Sequence, residues 1–345
     1  MTGATMRAAL FEGSGHPLLL GDIPRPIPGP GDALVRVRAC GFCHTDLHYL
    51  DHGVATAKAP PMVLGHEISG TVEEVGAGVG PDRVGQRVLV PAVLPCGRCE
   101  LCRSGRENIC PQLQMVGNHL DGGFAEFVRV PAHHLVPFPP DIDLARGAVI
   151  ADALTTPFHA VVRRAQVRSG ESVVVVGCGG VGINVVQFAA AAGANVVAVD
   201  LRPEKLALAA RLGASETIDP HETPEVGREV RRRLGAGADV AFEVVGSPDT
   251  ATLALSTLRR GGRMCVVGYS DASVALPLNR LMFFEYEILG SLGCRPVDYP
   301  RVIEMVRRGR VRLDEVISSS IPLDHIEEAA DRLRSGVGLR TLVLP

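Results

Sequence analysis

The stretch SVVVVGCGGVGINVVQFAAAAGANVVAVD, residues 172–200, decides the fold. Its first apolar run leads into GCGGVG, where Gly177, Gly179 and Gly182 have the spacing of a dinucleotide-binding turn between a strand and a helix. The first glycine permits the tight turn, the second lets the backbone approach a pyrophosphate, and the third lets the helix pack closely on the strand. A second apolar run ends in Asp200, whose carboxylate can accept hydrogen bonds from both hydroxyls of an adenosine ribose. The stretch therefore predicts a strand, a helix and a second strand that together bind NAD.

Other interpretations of this stretch stay open. The glycines and Asp200 also suit an ordinary turn in an α/β domain, with a solvated Asp at the end of the strand. Asp200 repels a 2′-phosphate and so favours NAD over NADP, whereas Arg202 can stack on the adenine or partly neutralise such a phosphate. Residues 172–199 carry no charge and are long enough to span a bilayer, but the glycine turn, Asn184 and Gln187 interrupt the apolar run. We therefore expect no membrane span.

The pattern of the chain changes on either side of this stretch. From Arg7 to about Gly85, β-rich segments alternate with Gly/Pro turns, which predicts a twisted, mostly antiparallel β domain. After Ala145, helical and strand patterns alternate, which predicts a doubly wound parallel sheet with right-handed crossovers. After about Glu287, two helical segments and a final strand are expected to return to the first domain. The predicted fold class is α/β, with a parallel Rossmann domain at 151–287 inserted into a mostly antiparallel catalytic domain at 1–150 and 288–345.

Composition narrows the class of function. The chain of 345 residues is long enough for two domains, and 46% of its residues are hydrophobic. A formal net charge of −3 offers no electrostatic case for a nucleic acid or an anionic membrane, so a small molecule is the expected partner. No charged-then-apolar leader precedes the first domain, and Met6 is as plausible a start as Met1. We expect a cytoplasmic protein.

Four of the nine cysteines lie close together, and the segment around them, residues 94–112, also contains Gly and Pro. Without a secretion signal, metal is a better explanation of this density than disulfides. Four thiolates on a short irregular lobe can close a tetrahedron around zinc and leave no open position, which is typical of a structural site. An iron-sulfur cluster and free surface thiols are the alternatives. The predicted ligands of this structural zinc are Cys96, Cys99, Cys102 and Cys110.

A second metal site would need residues that are far apart in the chain. Cys43 in GFCHTDLH and His66 in GHE are candidates, with a third ligand further on. A catalytic zinc keeps one position open and is held by three ligands of mixed type. Taken singly, these residues are ambiguous, because a His before Glu is often a satisfied polar pair and a buried Cys is often only a small apolar residue.

The motifs GFCHTD, GHEISGTVEEVG, the four-cysteine lobe, VVGCGGVG and LRTLVL resemble, in this order and spacing, the zinc-containing alcohol dehydrogenases of the medium-chain dehydrogenase/reductase family. The resemblance covers essentially the whole chain and implies a GroES-like catalytic domain. It also implies that Cys43 and His66 bind a catalytic zinc, that Asp46 orients the His66 imidazole, and that Glu67 sits close to the metal. The third ligand is usually Cys or Glu in relatives, and the matching segment here offers Asp152. Asp152 as a helix cap, with water completing the metal, is the alternative.

The resemblance further implies a route for the substrate proton and a set of coenzyme contacts. Thr45 resembles the hydroxyl that contacts the substrate oxygen, and His48 resembles the terminal base that passes the proton to solvent through the coenzyme ribose. A surface histidine and a solvated basic residue are the alternatives for His48 and Arg340. The predicted coenzyme contacts are His44, Thr156, Gly177, Gly179, Gly180, Val181, Gly182, Asp200, Arg202, Lys205, Val245, Val267 and Arg340.

The predicted activity is a zinc-dependent hydride transfer between NAD(H) and a secondary, cyclic or longer-chain alcohol or its carbonyl, with two zinc ions per chain. The segments VPAVLPCGRCELC, MVGNHLDGGFAEF and IADALTTPFHA resemble bacterial secondary-alcohol dehydrogenases and, most closely, those of cyclohexenyl-CoA alcohols, so a 6-hydroxycyclohex-1-ene-1-carbonyl-CoA dehydrogenase is an alternative. Rivals are a zinc-free reductase of the same fold and a non-catalytic binding protein. Relatives imply a homodimer or homotetramer through paired edge strands, which residues 263–279 are expected to supply.

Overall fold

The computed structural model contains two units. They correspond to the two sequence patterns, in which turns alternate with β-rich segments before residue 145 and helices alternate with strands after it. The structure describes residues 4–345. The first unit comprises the described residues up to Thr155, together with Gly293–Arg307 and Leu313–Pro345, and the second comprises Thr156–Leu292 and Arg308–Arg312. The predicted boundaries after residues 150 and 287 stay a prediction for the functional domains, and the range predicted from residue 1 begins outside the described residues.

The strands are β1 Thr5–Phe11, β2 Leu19–Pro24, β3 Asp32–Phe42, β4 Met62–Val63, β5 Glu67–Val75, β6 Arg87–Val90, β7 Val93–Leu94, β8 Gln114–Met115, β9 Phe127–Pro131, β10 Val136–Pro137, β11 Ser172–Val176, β12 Asn195–Val199, β13 Glu216–Ile218, β14 Ala238–Glu243, β15 Leu258–Val266, β16 Glu287–Gly290, β17 Ile317–Pro322 and β18 Arg340–Leu344. The α-helices are α1 His44–Asp51, α2 Glu100–Arg103, α3 Leu144–Gly147, α4 Thr155–Phe158, α5 Gly182–Ala191, α6 Pro203–Arg211, α7 Val226–Leu234, α8 Pro248–Thr257, α9 Leu278–Phe284, α10 Tyr299–Arg307 and α11 Ile326–Arg334. A π-helix spans His159–Arg164, and 3₁₀ turns span Pro81–Arg83, Glu107–Ile109, Ala132–His134, Ala148–Ala151, Pro296–Asp298 and Leu323–His325.

The first unit is built on a sheet in the order β10-β6-β5-β3-β18-β17, with β9 also pairing with β3, and on a smaller sheet in the order β2-β1-β4. All pairs are antiparallel except β17 with β18. Buried residues of β3 and β5 belong to a core in which Phe42 stacks on Phe124 at a ring distance of 5.2 Å. β3 and β5 run side by side, so their ends carry Cys43 and His66 to the same place.

The second unit is a six-stranded sheet in the order β13-β12-β11-β14-β15-β16, and every pair in it is parallel. This is the strand order of a doubly wound dinucleotide fold, in which ligands bind at the carboxyl ends of the strands where the order reverses. Here the order reverses between β11 and β14, at the glycine turn. The structure thus confirms the predicted α/β fold class, with an antiparallel first unit and a parallel second one.

The uncharged stretch 172–199 forms β11, the glycine turn, α5 and β12, as predicted. Within residues 4–345, none of the helices combines the length and apolar character needed to cross a bilayer. One expectation is corrected. Residues 263–266 of the run that was expected to supply an edge strand lie in β15, which pairs with β14 on one side and β16 on the other. The edge strand at this end of the sheet is β16, and β13 is the edge strand at the other end. Apolar character marks a buried strand but does not distinguish an inner strand from an edge.

Candidate metal and coenzyme sites

The four clustered cysteines converge in the lobe closed by β7 and β8. Their sulfur atoms lie within 4.8 Å of one another, with separations of 3.4 Å for Cys99–Cys102, 3.7 Å for Cys99–Cys110 and 4.0 Å for Cys96–Cys102. Zinc–sulfur bonds of about 2.3 Å in a tetrahedron place sulfurs about 3.8 Å apart, so these separations fit one zinc ion. The described cysteines form no disulfide with one another.

The backbone of this lobe also favours thiolates. The N–H groups of Cys96 and Gln112 donate to the Cys110 sulfur, at 3.5 and 3.3 Å. The backbone N–H groups of Arg98 and Cys99 lower the pKa of Cys96 to about 6, whereas burial raises the pKa of Cys102 to about 12. The Cys96 thiol therefore ionises readily, whereas the Cys102 thiol would need a metal to hold it as a thiolate.

A second cluster is assembled from three distant parts of the first unit. Cys43 follows β3 and precedes α1, His66 precedes β5, and Asp152 follows the 3₁₀ turn Ala148–Ala151. One ligand atom from each of these residues and from Glu67 lies within 4.8 Å of the others. Cys43, His66 and Glu67 are buried, while the Asp152 side chain is 18% exposed, so the cluster has one side open to solvent.

The two ring nitrogens of His66 face different carboxylates. Nδ1 lies 3.6 Å from Oδ1 of the fully buried Asp46, and Nε2 lies 3.7 Å from Oδ2 of Asp152. Asp46 is itself fixed, because its other oxygen accepts the Cys43 N–H at 2.9 Å in the capping box that begins α1. A carboxylate behind an imidazole in this way sets the tautomer that presents the opposite nitrogen to a metal.

Glu67 makes a buried ion pair. Its carboxylate lies 3.1 Å from the Arg340 guanidinium, which also donates to the Phe42 carbonyl oxygen at 3.1 Å. A β-carbon at Gly41 would collide with the Glu67 carboxylate, so glycine is required where β3 passes this pair. The Arg340 guanidinium, which was predicted to contact the coenzyme, is thus engaged inside the first unit, and its coenzyme role stays a prediction.

The charges of the cluster act on each other. Burial opposes ionisation of the Cys43 thiol, but Arg340 and His66 outweigh it and lower its pKa. Burial alone would lower the pKa of His66, yet Asp46 and Asp152 raise it well above its usual value. Burial raises the pKa of Glu67 well above its usual range, and Arg340 acts in the opposite sense. Cys43, His66 and the carboxylates offer sulfur, nitrogen and oxygen donors. A mixed donor set of this kind suits a divalent cation such as zinc, so the residues of the cluster fit a zinc ion.

α1 carries the other predicted residues of this region. The Cys43 thiol donates to Thr45 Oγ1 at 3.8 Å, so Thr45 borders the cluster. His44 is exposed, and His48 is half-buried. Sequence reasoning missed His52, whose Nδ1 lies 2.9 Å from Nδ1 of His48. The signal was present in the four-residue spacing of the two histidines, which places them on one face of a helix.

In the second unit, the glycine turn has the geometry that each position needs. Gly177 has a φ of +93°, which favours glycine, and the space around Gly179 is open. A β-carbon on Gly182 would collide with the Gly177 carbonyl oxygen, so this glycine permits close packing of α5 on β11. Gly180 and Val181 complete the turn, and Val181 is the residue that precedes α5.

Asp200 lies at the end of β12 and receives two backbone hydrogen bonds, from Cys178 N–H at 2.7 Å and from Arg202 N–H at 3.0 Å. Its carboxylate is therefore held beside the glycine turn. Arg202 lies 3.6 Å from Glu204, and Lys205 is in α6. Of the remaining predicted contacts in this unit, Val245 and Val267 follow β14 and β15, and Thr156 lies in α4.

Sequence reasoning also missed Glu243, a buried carboxylate at the end of β14. Its Oε1 accepts hydrogen bonds from the N–H groups of Val245 and Gly246, at 2.9 and 2.8 Å, and from the Thr250 hydroxyl, at 2.8 Å. This one carboxylate fixes the loop beside the glycine turn. A lone Glu in an apolar run, AFEVVG, was the only sign of it.

Comparison with known proteins places both units in one family. A family model for the alcohol dehydrogenase GroES-like domain matches residues 29–140, and one for zinc-binding dehydrogenase matches residues 180–308. The chain is 34% identical over 333 residues to an alcohol dehydrogenase of Geobacillus stearothermophilus, with 96% of this chain and 97% of that relative covered. It is 33% identical over 330 residues to D-xylulose reductase A of Aspergillus niger, with 92% of each covered.

Solved structures agree. An NAD-dependent alcohol dehydrogenase superposes with a TM-score of 0.91 at 32% identity, covering 99% of this chain and 100% of that one. A protein from Sinorhizobium meliloti 1021, whose structure holds NADP, superposes with a TM-score of 0.89 at 32% identity and the same coverage. These likenesses extend over both units.

Proposed function

Since the chain belongs to the zinc-binding alcohol dehydrogenase family, we propose that it transfers a hydride between NAD(H) and a secondary, cyclic or longer-chain alcohol or the corresponding carbonyl compound. The observation that carries this proposal is the cluster of Cys43, His66 and Asp152, with the Asp46 carboxylate behind the imidazole. It supplies three donors of mixed type and an open side, which is what a catalytic zinc requires.

In this proposal Cys43, His66 and Asp152 hold the catalytic zinc, and Cys96, Cys99, Cys102 and Cys110 hold the structural one. When bound, the catalytic zinc supplies a Lewis acid for an alcohol or carbonyl oxygen. Asp152 takes the place that is usually Cys or Glu in relatives, and its carboxylate oxygen is a suitable zinc ligand. Glu67 stays paired with Arg340 behind these ligands and offsets the guanidinium charge.

The other residues of the first unit handle the proton. Thr45 borders the cluster at Cys43 and accepts the proton of the substrate hydroxyl, and His48 receives it next. Asp46 keeps the His66 imidazole in one orientation, so that the ligand geometry does not change during the reaction.

The residues of the glycine turn bind the coenzyme pyrophosphate, with the amino end of α5 facing its charge. Asp200 binds the adenosine ribose. Its fixed carboxylate repels a 2′-phosphate, which supports NAD as the coenzyme, although Arg202 follows two residues later and a relative of similar fold binds NADP. When bound, NAD would supply the nicotinamide ring as the hydride acceptor.

In this proposal Ala92 and Val93 border the substrate. Ala92 is buried and Val93 is half-buried, and side chains of this size leave room for a branched or cyclic alcohol. A relative named D-xylulose reductase adds polyols to the substrates worth testing.

The proposed enzyme is cytoplasmic and forms a homodimer or homotetramer. The edge strand β16 leaves one row of backbone groups without a partner strand among the described residues. Leu278, Met282 and Phe283 of α9, in the same unit, are exposed apolar side chains. A second copy that pairs with this edge would cover both features.

The test is a screen of primary, secondary, cyclic, polyol and CoA-linked alcohols with NAD and NADP, beside zinc quantification. We expect NADH formation and two zinc ions per chain. His66→Ala should lose one zinc and the activity but still bind NADH, while a control at the exposed His221, His221→Ala, should keep both. Full turnover by His66→Ala would contradict the metal assignment, and NADH binding without turnover of any alcohol would favour a binding protein.

A further inference from the structure

Two histidines face each other at the carboxyl end of α1. Nδ1 of His48 lies 2.9 Å from Nδ1 of His52, and the ring centroids are 5.1 Å apart. At this distance one ring donates a hydrogen bond and the other accepts it. His48 is half-buried and His52 is exposed. The pair therefore forms a continuous hydrogen-bonded connection from a partly enclosed imidazole to bulk water.

The turn that carries His52 is held firmly. The His52 N–H donates to the His48 carbonyl oxygen at 3.3 Å, which keeps the two backbones in register. On the other side, the Ser14 hydroxyl donates to the Leu50 carbonyl oxygen and accepts the Gly53 N–H, both at 3.1 Å. The contact between the rings thus rests on fixed backbone rather than on two free surface side chains.

The carboxylate next to His52 is engaged by an arginine. Asp51 receives two hydrogen bonds of 2.9 Å from the Arg334 guanidinium of α11, one on each oxygen. The His44 ring is further away, with its centroid 6.4 Å from that of His48. Because His52 is exposed, the contact with its imidazole leads outward from His48.

We propose that His52 is a proton-relay residue, which takes the substrate proton from His48 and delivers it to solvent. This inference rests on the proposed function. In alcohol oxidation the hydroxyl proton arrives at Nε2 of His48, the proton on Nδ1 of His48 passes to Nδ1 of His52, and the proton on Nε2 of His52 passes to water. Each ring ends neutral, exchange with water restores the starting tautomers, and carbonyl reduction runs the same steps backwards.

Two substitutions distinguish a proton-relay role of His52 from a purely structural role. His52→Ala removes the ring, and His52→Gln keeps a side chain that hydrogen-bonds but does not exchange protons. The rate of NADH formation is measured in a single turnover at low buffer concentration and then with rising 2,6-lutidine, at constant ionic strength. The methyl groups of lutidine hinder metal binding while leaving it a proton acceptor. His221→Gln, at an exposed histidine of the second unit, is the matched control.

Both His52 variants should lose rate by roughly tenfold. This is less than the roughly 10²–10⁴-fold contributed by a side chain that exchanges a proton with the reacting group, because His52 acts only through His48. Lutidine should restore that rate in the variants and leave the wild type and the control unchanged, with zinc content and NADH affinity equal throughout. An unchanged rate in His52→Ala, full rate in His52→Gln, or a loss that lutidine does not restore would each overturn the relay. A wild type that oxidises no alcohol would instead overturn the proposed function.

Discussion

Replacing Arg340 with Met should destabilise the protein strongly, because it leaves the Glu67 carboxylate buried without its partner. The two side chains are 2% and 0% exposed and 3.1 Å apart, and an effective dielectric of about 20 gives the pair roughly 5 kcal/mol of attraction. Removing one member of such a pair costs about 3–5 kcal/mol, so Tm should fall by about 10 °C for a unit of this size.

The chain offers a matched control in Arg36, which pairs with Glu73 at 2.8 Å but with side chains 55% and 31% exposed. Arg36→Met should cost about 1 kcal/mol or less, because water screens an exposed pair. Thermal unfolding is followed by circular dichroism on coenzyme-free protein of equal zinc content. Adding Glu67→Gln to Arg340→Met should recover part of the loss, since it removes the charge left behind. Equal costs for the two arginine substitutions, or no recovery in the double variant, would refute the reasoning.

Further outcomes follow from other parts of the structure. Cys110→Ser should lower the zinc content, measured by metal analysis, by one ion per chain. It should also lower Tm without changing the coenzyme preference. An unchanged zinc content would exclude the structural site. Asp200→Ala should raise the kcat/KM ratio of NADP to NAD by roughly 10-fold or more, since it removes a repulsive carboxylate, and a constant ratio would show that Asp200 does not contact the ribose. Burial, with a contribution from a neighbouring histidine, lowers the pKa of His134 to about 4, below its unfolded value of about 6.5. The stability that this neutral ring contributes is fully present above the unfolded pKa and is lost as pH falls from 6.5 towards 4. His134→Gln should therefore lose less free energy of unfolding between pH 7 and pH 4.5 than the wild type, by up to about 2 kcal/mol after discounting for partial solvent contact. Urea titrations at the two pH values measure this difference. Identical losses in both proteins would show that the ring is already protonated in the fold.

The features that the sequence predicted best are those whose residues are neighbours in the chain. The glycine turn and Asp200 belong to one strand-helix-strand unit, and the four cysteines to one lobe, so spacing alone carries their geometry. Cys43 and His66 are brought together only by the pairing of β3 with β5, and no local pattern contains that pairing. Family resemblance supplied what spacing could not.

Other features depended on details that a linear pattern does not contain. The partner of Glu67 is Arg340, which arrives from the far end of the chain on β18. Glu243 is an acidic residue in an apolar run, and only the fold shows that it receives three hydrogen bonds. The edge strand was misplaced, because burial on both faces makes β15 apolar whether or not a neighbour follows it.

The position of β18 in the first sheet affects the order in which the two units can fold during synthesis. The ribosome has completed all six strands of the parallel sheet by Gly290, whereas β18 must insert between β3 and β17, and it contains Arg340 and ends at Leu344. Until then, the end of β3 at residues 40–42 has no partner strand on one side, and Glu67 lacks the Arg340 guanidinium. The parallel sheet can therefore form before β18 has been synthesised, whereas the buried pair of Glu67 and Arg340 beside Cys43 can form only afterwards.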